Sequence, residues 1–170
     1  MIPDVADIHT HNPLATDAVI NLEPGMELRP DALYSAGWHP WWPDADMEWV
    51  RLMAADPRVV LIGECGIDKL HGIGSVDEQT ALLRAHAALA ESARKPLLLH
   101  IVGAWSEIIA LRRELRPAVP WIIHGFRGKP ELAAQLLRAG FHISLGKHFN
   151  PLTLAAIPPD RLLRESDTAK

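Results

Sequence analysis

The 170-residue sequence is poor in cysteine, tyrosine and phenylalanine, and it contains no long run of apolar residues. Its single cysteine, Cys65, cannot form an intramolecular disulfide, which excludes the disulfide-built scaffolds of small secreted proteins. No stretch reaches the roughly 20 apolar residues that span a bilayer, and residues 1–11 lack the basic and apolar regions of a signal peptide. We therefore expect a cytoplasmic protein without membrane contact.

A surplus of positive charge is also missing, because 17 lysines and arginines face 21 aspartates and glutamates and the net charge is −4. Proteins that hold nucleic acid along its backbone are usually basic, so any contact with nucleic acid is expected to be local. With 48% hydrophobic residues, the chain is long enough to bury a core without disulfides. We expect one domain over residues 1–170.

Eight short β-rich runs recur along the chain, and several are almost entirely apolar, which is typical of parallel strands covered on both faces. They span residues 5–9, 18–22, 33–37, 59–64, 96–100, 120–124, 141–145 and 161–167. Helical patterns at residues 44–55, 75–94, 103–115 and 130–139 separate the later runs, and Ser75 and Glu78 have the spacing of a capping box. Eight strands that alternate with helices predict an α/β fold, a TIM-type (β/α)8 barrel.

The predicted barrel departs from the usual size, since a typical β/α barrel takes about 250 residues. Residues 11–17 and 23–32 are too short and too proline-rich for full helices, and only three residues follow Asp167. We therefore expect a compact barrel with shortened early connections and a missing final helix. Either a segment beyond this sequence or another subunit would cover the side that lacks helices, so an oligomer is one of two expectations.

Nine histidines are the most unusual feature that the sequence does contain. In β/α barrels the working residues lie where strands end and βα loops begin. His9 and His11 are two residues apart, which on a strand places both on one face, close enough to share a metal. A carboxylate at the mouth of a buried strand, as at Glu64, costs several kcal/mol unless it is paired or bound to a cation. The strand ends together carry His9, His11, His39, Glu64, Asp68, His100, His124, His148 and Asp167.

Four of these histidines and two carboxylates match the needs of two adjacent divalent ions, with Glu64 as the bridge. Two-metal sites activate water and stabilise both the attacking and the departing oxygen of a displacement, so this set predicts hydrolysis. The alternative is a set of buried polar residues that backbone groups satisfy. The predicted ligands are His9, His11, Glu64, His100, His124 and Asp167.

Six segments in this order resemble the TatD family of metal-dependent deoxyribonucleases and hydrolases, within the amidohydrolase-like barrels. They are Asp7-Ile-His-Thr-His11, Gly37-Trp-His-Pro40, Gly63-Glu-Cys-Gly-Ile-Asp68, His100, His124-Gly-Phe-Arg-Gly128 and Glu165-Ser-Asp167. The resemblance implies that one metal is bound by His9, His11, Glu64 and Asp167 and a second by Glu64, His100 and His124. It also implies cleavage of DNA phosphodiester bonds with zinc, magnesium or manganese, with Glu64 and Asp167 as catalytic residues and Asp167 taking a proton from the attacking water.

The sequence departs from the family pattern after His100, where Val102 replaces a common arginine. Arg127 and Lys147 are the expected substitutes as substrate-binding cations. His39 either binds phosphate above the metals or packs as a loop residue against Trp38 and Trp41. The remaining expected site residues are Asp7, which would orient a ligand histidine or form a core hydrogen bond, and Asp68, which would orient a ligand or cap a turn.

Two other functions remain open from the sequence alone. The acidic balance and Val102 favour a phosphoesterase or amidohydrolase that acts on a small molecule such as a phosphate ester, and the opening motif also suits the PHP phosphoesterases. A trimmed barrel is also typical of a metal-binding interaction module without catalysis. Three tryptophans after the third strand would stack on bases, fill the bare side of the barrel or form a dimer contact: Trp38, Trp41 and Trp42.

Overall fold

Eight parallel strands in chain order form the centre of the computed structural model, which describes residues 1–167. The backbone amide of Asp167 donates to the carbonyl of His9 at 3.0 Å, which brings the chain after the last strand to the first strand. This nearly closed barrel confirms the predicted TIM-type fold. The strands are β1 Asp7–Thr10, β2 Ala18–Asn21, β3 Leu33–Ala36, β4 Val59–Asp68, β5 Leu97–Val102, β6 Trp121–Ile123, β7 His142–Leu145 and β8 Leu162–Arg164.

The helices lie on the outer face, and four of them fall within the ranges that the sequence predicted. Ser75 Oγ accepts from the amide of Glu78 while Glu78 accepts from the amide of Ser75, which confirms the capping box. No helix in residues 1–167 is long and apolar enough to cross a membrane. The helices are α1 Met47–Ala54, α2 Val76–Ala93, α3 Trp105–Leu115, α4 Pro130–Arg138 and α5 Pro151–Ala156, followed by a 3₁₀ turn at Pro159–Arg161.

The end of the chain differs from the sequence-based predictions in two ways: one helix was missed and one strand was predicted too long. Helix α5 was not predicted, because a six-residue helix is too short to show a periodic apolar pattern; Asn150 caps it by accepting from the amide of Leu152 at 2.9 Å. The last strand was predicted to reach Asp167 but ends at Arg164. Asp167 has a φ of 43°, a left-handed conformation that a strand cannot contain.

The early connections are as short as predicted, and within residues 1–167 no helix joins β1 to β2 or β2 to β3. Two arginines tie these loops down instead. The Arg29 guanidinium donates to the carbonyl of Pro13 at 2.8 Å, and the Arg58 guanidinium donates to the carbonyl of Leu28 at 2.9 Å. These bonds satisfy carbonyls that a helix would otherwise have satisfied internally.

Apolar side chains fill the barrel interior below its carboxyl-terminal mouth. Leu98 and Ile122 belong to this interior cluster, together with Val19 from β2. Side chains along a strand alternate between faces, so the residues two positions further on also point inward. Three polar residues therefore stand above this apolar floor: Asn21, His100 and His124.

Candidate metal centre

A shift of register in β4 brings Glu64 into the barrel. Ile62 pairs with Leu97, but the next paired residue is Cys65, opposite Leu99. Ile62 and Cys65 both lie in the outer cluster, so Glu64 is left on the inner face, where it is 4% exposed. The amide of Glu64 donates to Asn21 Oδ1 at 3.4 Å. Regular alternation from Ile62 would have turned Glu64 outward, toward the helices.

Close approach of three backbones accompanies this shift. A Cβ atom on Gly63 would lie 2.3 Å from the carbonyl oxygen of Leu98, and a Cβ atom on Gly37 would lie 2.5 Å from Gly63 Cα. Only glycine fits at both positions, since side-chain carbons do not approach backbone atoms this closely. The Gly37 and Gly63 segments singled out in the sequence therefore allow the close backbone approach that places Glu64 on the inner face of the barrel.

One oxygen of Glu64 faces the first predicted set of ligands. Glu64 Oε2 lies 2.5 Å from His9 Nε2 and 3.4 Å from His11 Nε2. Asp167 Oδ1 lies 3.4 Å from His9 Nε2 and 3.8 Å from His11 Nε2. The structure therefore brings these four residues together around one point, which we call the Oε2 side of the centre.

The other oxygen of Glu64 faces the second predicted set, which we call the Oε1 side. Glu64 Oε1 lies 3.6 Å from His124 Nε2 and 3.9 Å from His100 Nδ1. The two histidine nitrogens are 3.3 Å apart. His39 Nε2 is closer still, at 2.9 Å from Glu64 Oε1.

Hydrogen bonding around His39 determines what it presents to the centre. Its Nδ1 accepts from the amide of Trp41 at 3.1 Å, so in the neutral ring the proton sits on Nε2. That Nε2–H donates to Glu64 Oε1. The potential ligand atoms of His39, Glu64 and His100 lie within 4.8 Å of one another, which is close enough to share a metal ion. The tautomer of His39 nevertheless makes its Nε2 a donor toward an anionic oxygen.

Asp68 fixes the ring of His100 from outside. A carboxylate only accepts, so His100 Nε2 donates to Asp68 Oδ2 at 3.0 Å and its unprotonated Nδ1 faces the centre. Trp41 Nε1 donates to the same oxygen at 2.7 Å, and the amides of Leu70 and His71 donate to Oδ1. This is the carboxylate–histidine arrangement that orients metal ligands. Trp41 was not singled out in the sequence for this contact.

Several buried polar atoms of the centre have no partner in hydrogen-bond geometry among the described residues: His9 Nδ1 has none, and His9 Nε2 and Glu64 Oε2 lie 2.5 Å apart without that geometry. His100 Nδ1 and His124 Nε2 face each other at 3.3 Å, which requires a proton on one of the two nitrogens or a cation between them. Two ligands bound to one tetrahedral ion at about 2.1 Å lie about 3.4 Å apart. The observed separations and the mixed nitrogen and oxygen donors therefore fit divalent metal ions.

Burial and mutual charge shift the pKa values of the centre strongly. For Glu64, burial alone would raise the pKa, but His9, His124, His11 and His39 together hold it well below its usual range. Burial lowers the pKa of His9, yet Glu64 and Asp167 raise it to about 10. Burial and the neighbouring His124 and His39 lower the pKa of His100 to about 4. Without metal, His9 is thus a cation on the Oε2 side and His100 a neutral ring on the Oε1 side.

A profile of the TatD-related DNase family matches residues 8–169. The chain belongs to this family. Among curated relatives, the uncharacterized metal-dependent hydrolase YabD of Bacillus subtilis is 32% identical over 153 residues, covering 81% of this chain and 59% of YabD. The 3'-5' ssDNA/RNA exonuclease TatD of Klebsiella pneumoniae is 33% identical over 147 residues, covering 78% and 56%. This chain therefore spans less than two thirds of the length of these TatD relatives.

Solved structures of the TatD family share this fold. The crystal structure of the TatD homologue YjjV from Escherichia coli matches with a TM-score of 0.79 and 19% identity, covering 98% of this chain and 80% of that one. A TatD family hydrolase from Entamoeba histolytica matches with a TM-score of 0.67 and 25% identity, covering 79% and 50%. The trimmed barrel of this chain is thus a TatD-type barrel.

One interpretation of the sequence had Asp7 orienting the ring of His9. In the structure Asp7 bonds to the backbone of His9 and not to its ring. Its Oδ1 accepts from the amides of His9 and Ser166, and its Oδ2 accepts from Ser166 Oγ at 2.6 Å. Asp7 therefore ties β1 to the segment that carries Asp167. It positions backbone on the Oε2 side, whereas Asp68 positions a ring on the Oε1 side.

Glu165 is a site residue to which the sequence assigned no role. It is buried, its Oε1 accepts from the amide of Gly125 at 2.7 Å, and the same oxygen lies 3.5 Å from His124 Nδ1. Burial lowers the pKa of His124, but Glu64 and Glu165 raise it overall. The signal was its place in the Glu165-Ser-Asp167 segment, two residues before Asp167.

The two predicted substrate-binding cations lie at the rim of the centre. Arg127 and Lys147 line a cavity of about 130 Å³ together with His148 and Asp167. Both cations are exposed, and neither has an ion-pair partner among the described residues. They are therefore placed to meet an anion that approaches Asp167.

Proposed function

We propose that this chain is a divalent-metal-dependent hydrolase that cleaves phosphodiester bonds in single-stranded nucleic acid at a two-metal centre. The observation that supports this proposal most directly is the position of Glu64, a buried carboxylate whose two oxygens each face a separate set of histidines. Unpaired buried polar atoms around it support bound cations over a structural network. The names of the curated relatives, a metal-dependent hydrolase and ssDNA/RNA exonucleases, support the substrate class.

In this proposal the ligands divide along the two oxygens of Glu64. His9, His11 and Asp167 would hold one ion with Oε2, while His100 and His124 would hold the other with Oε1. His39 is assigned to substrate, because its Nε2–H becomes available to a phosphate oxygen once Glu64 Oε1 is bound to an ion. The same geometry disfavours His39 as a ligand, since its Nδ1 accepts from the Trp41 amide and its Nε2 carries the proton.

Bound divalent cations would polarise a phosphoryl oxygen, lower the pKa of water and stabilise the departing oxygen. Asp167 would accept a proton from the attacking water: burial raises its pKa, but His9 and His124 lower it overall, so the carboxylate is deprotonated at neutral pH. A bond then forms between the water oxygen and phosphorus, and the ester bond breaks. Arg127 and Lys147 would bind phosphate oxygens at the rim, and the leaving oxygen takes a proton from solvent.

Cleavage assays with the metal-stripped protein test this proposal. Single-stranded DNA and RNA oligonucleotides are incubated with and without Mg²⁺, Mn²⁺ or Zn²⁺, and bound metal is counted by elemental analysis. We expect two metal ions per chain and cleavage only when metal is restored. Metal binding without turnover of any substrate would overturn the proposal in favour of a binding module.

A small phosphate ester is the second candidate substrate, because the chain is acidic and Val102 stands at the site where a cation is common in the family. A panel of phosphomonoesters, phosphodiesters, amides and lactones separates the two. Turnover of a small ester with no cleavage of oligonucleotides would favour this second function.

A further inference from the structure

Beside the metal centre lies a larger cavity of about 450 Å³, and the proposed chemistry gives no role to its apolar walls. Its floor is formed by His100, His124 and Asp167, so it opens directly onto the centre. Its walls are mostly apolar, and its volume falls in the range of small-ligand sites, about 300–1,000 Å³. The walls include Trp41, Val102, Trp105, Phe126 and Arg127.

Trp41 is the exposed aromatic residue of this wall, with 49% of its surface accessible. Its indole is held in place, because Nε1–H donates to Asp68 at 2.7 Å and the ring stands edge-on to His39 at 4.8 Å and His100 at 5.4 Å. A large apolar ring exposed in a fixed orientation offers contact area with little loss of side-chain entropy when a ligand binds. Trp41 is thus a prepared stacking surface at the edge of the centre.

The other tryptophans of this loop have a different environment. Trp38 packs edge-on against Trp42, with ring centroids 5.5 Å apart, and against Trp49 at 6.1 Å. Trp38 Nε1 donates to the carbonyl of Pro43 at 3.1 Å. Trp38 and Trp42 therefore pack against each other, and of the three only Trp41 lines the 450 Å³ cavity.

The chemistry of the walls selects the kind of group that enters. The side chains of Val102 and Phe126 carry no hydrogen-bond donor, and that of Trp105 carries only its indole N–H, so these walls do not suit a second phosphate. Arg127 stands exposed at the rim. The walls therefore suit an apolar, flat substituent of a phosphate at the metal centre, and Arg127 is placed to meet a flanking phosphate. Every nucleobase has a flat aromatic face, so any of the bases can stack on an indole ring.

We infer that this cavity binds the nucleobase of a nucleotide bonded to the scissile phosphate, with Trp41 as its stacking surface. The inference rests on the proposed function and sharpens it, because it makes the substrate a base-bearing nucleotide rather than any phosphate ester. Trp41 is a specificity-determining residue in this assignment. Its indole N–H also helps to hold Asp68, and the test must separate these two contributions.

The test compares intact oligonucleotides with oligonucleotides that carry a base-free tetrahydrofuran residue on either side of the scissile bond. Binding is measured separately by calorimetry with dAMP and with 2-deoxyribose 5-phosphate, which lacks the base. We expect the intact base to raise both kcat/KM and affinity by about 10- to 100-fold. Trp41→Ala should abolish this preference, whereas Trp41→Phe should keep most of it, because phenylalanine retains a ring but lacks the N–H that reaches Asp68.

Trp49→Phe is the matched control, since it removes an indole that lines neither cavity. It should leave the base preference unchanged. Equal kcat/KM for intact and base-free substrates, with metal-dependent cleavage retained, would overturn the inference and leave the proposed function standing. If no phosphodiester is cleaved with any metal, the proposed function itself fails. A Trp41→Phe variant that loses the preference as fully as Trp41→Ala would also overturn the stacking assignment.

Discussion

The two sides of the candidate metal centre are held by different means. On the Oε1 side, a side-chain hydrogen bond orients His100, since Asp68 accepts its Nε2–H, and a backbone amide fixes the tautomer of His39. On the Oε2 side, His9 Nδ1 has no hydrogen-bond partner that would orient the ring, as Asp68 orients His100, and Asp7 bonds only to backbone and Ser166. The Oε1 side is therefore preorganised by hydrogen bonds to individual histidine rings. The Oε2 side is preorganised by the seam, by which we mean the hydrogen bonds between β1 and the segment after β8.

This difference shows how a trimmed barrel can still present a complete ligand set. The seam needs the backbone of Asp167 to reach β1, and the bond from Asp167 N to His9 O supplies that contact. The Oε1 side depends on residues far apart in sequence, because Trp41 in the loop after β3 meets Asp68 at the end of β4. Substitutions should therefore affect the two sides differently.

The largest effect is expected for Glu64→Gln, which removes the charge shared by both sides. Loss of metal-derived stabilisation of the transition state is worth several kcal/mol, so we expect kcat/KM to fall about 10³-fold or more. Elemental analysis should show fewer than two metal ions per chain. Glu107→Gln is the control, because Glu107 pairs with Lys69 at the surface. Two tightly bound ions in Glu64→Gln would contradict the bridging role.

Asp167→Asn tests the Oε2 side alone. Because this residue is proposed as the proton acceptor, kcat should fall by about 10²- to 10⁴-fold. The Oε1 ion should stay bound, since none of its proposed ligands is altered. Asp160→Asn, at an exposed carboxylate seven residues earlier, should match the unaltered protein. An unchanged kcat for Asp167→Asn would exclude the proposed role.

Asp68→Asn tests how the Oε1 side is held. Loss of the carboxylate that orients His100 should weaken binding of one metal ion by about 10- to 100-fold. Asp7→Asn sharpens the contrast, because Asp7 touches no ligand ring and should lower the free energy of unfolding more than it lowers metal affinity. Competition with a fluorescent chelator and urea unfolding measure the two quantities. Equal losses of metal affinity in both variants would remove the distinction between the sides.

The effect on the metal centre itself is expected to be smallest for His86, which supports the loop behind the Oε1 side. His86 Nε2 accepts from the amide of Trp38 at 2.9 Å, so Nδ1 donates to the carbonyl of Leu82. Burial lowers the pKa of His86 from 6.5 to about 4, so the unfolded chain takes up a proton first as pH falls. Its contribution to stability is complete above pH 6.5 and is lost progressively between pH 6.5 and 4, about 3 kcal/mol in total.

Urea unfolding of the metal-free protein at several pH values between 7.5 and 4.5 measures this dependence. The site carboxylates also titrate as the pH falls, so the comparison with His86→Gln isolates the share of His86. We expect a shallower fall in stability for His86→Gln, because glutamine does not titrate. Identical slopes for both proteins would show that His86 is not buried in its neutral form.

Much of the fold follows from patterns within short segments. The apolar runs around Leu98 and Ile122 predict buried parallel strands, and the capping residues Ser75 and Glu78 fix the start of α2. Parallel strands meet at one edge, so histidines at their ends predict a shared site. Helix α5 escaped prediction because six residues carry too little pattern, and the last strand was predicted too long because Asp167 adopts a left-handed conformation.

The sequence by itself determined the barrel, its order of strands and the set of residues at its mouth, because these depend on local periodicity and on where strands end. Only the tertiary structure decided how those residues face one another. The shift of register between Ile62 and Cys65 turned Glu64 inward, and the Trp41 amide set the tautomer of His39. Both depend on contacts between strands and loops, which no single segment of the sequence encodes.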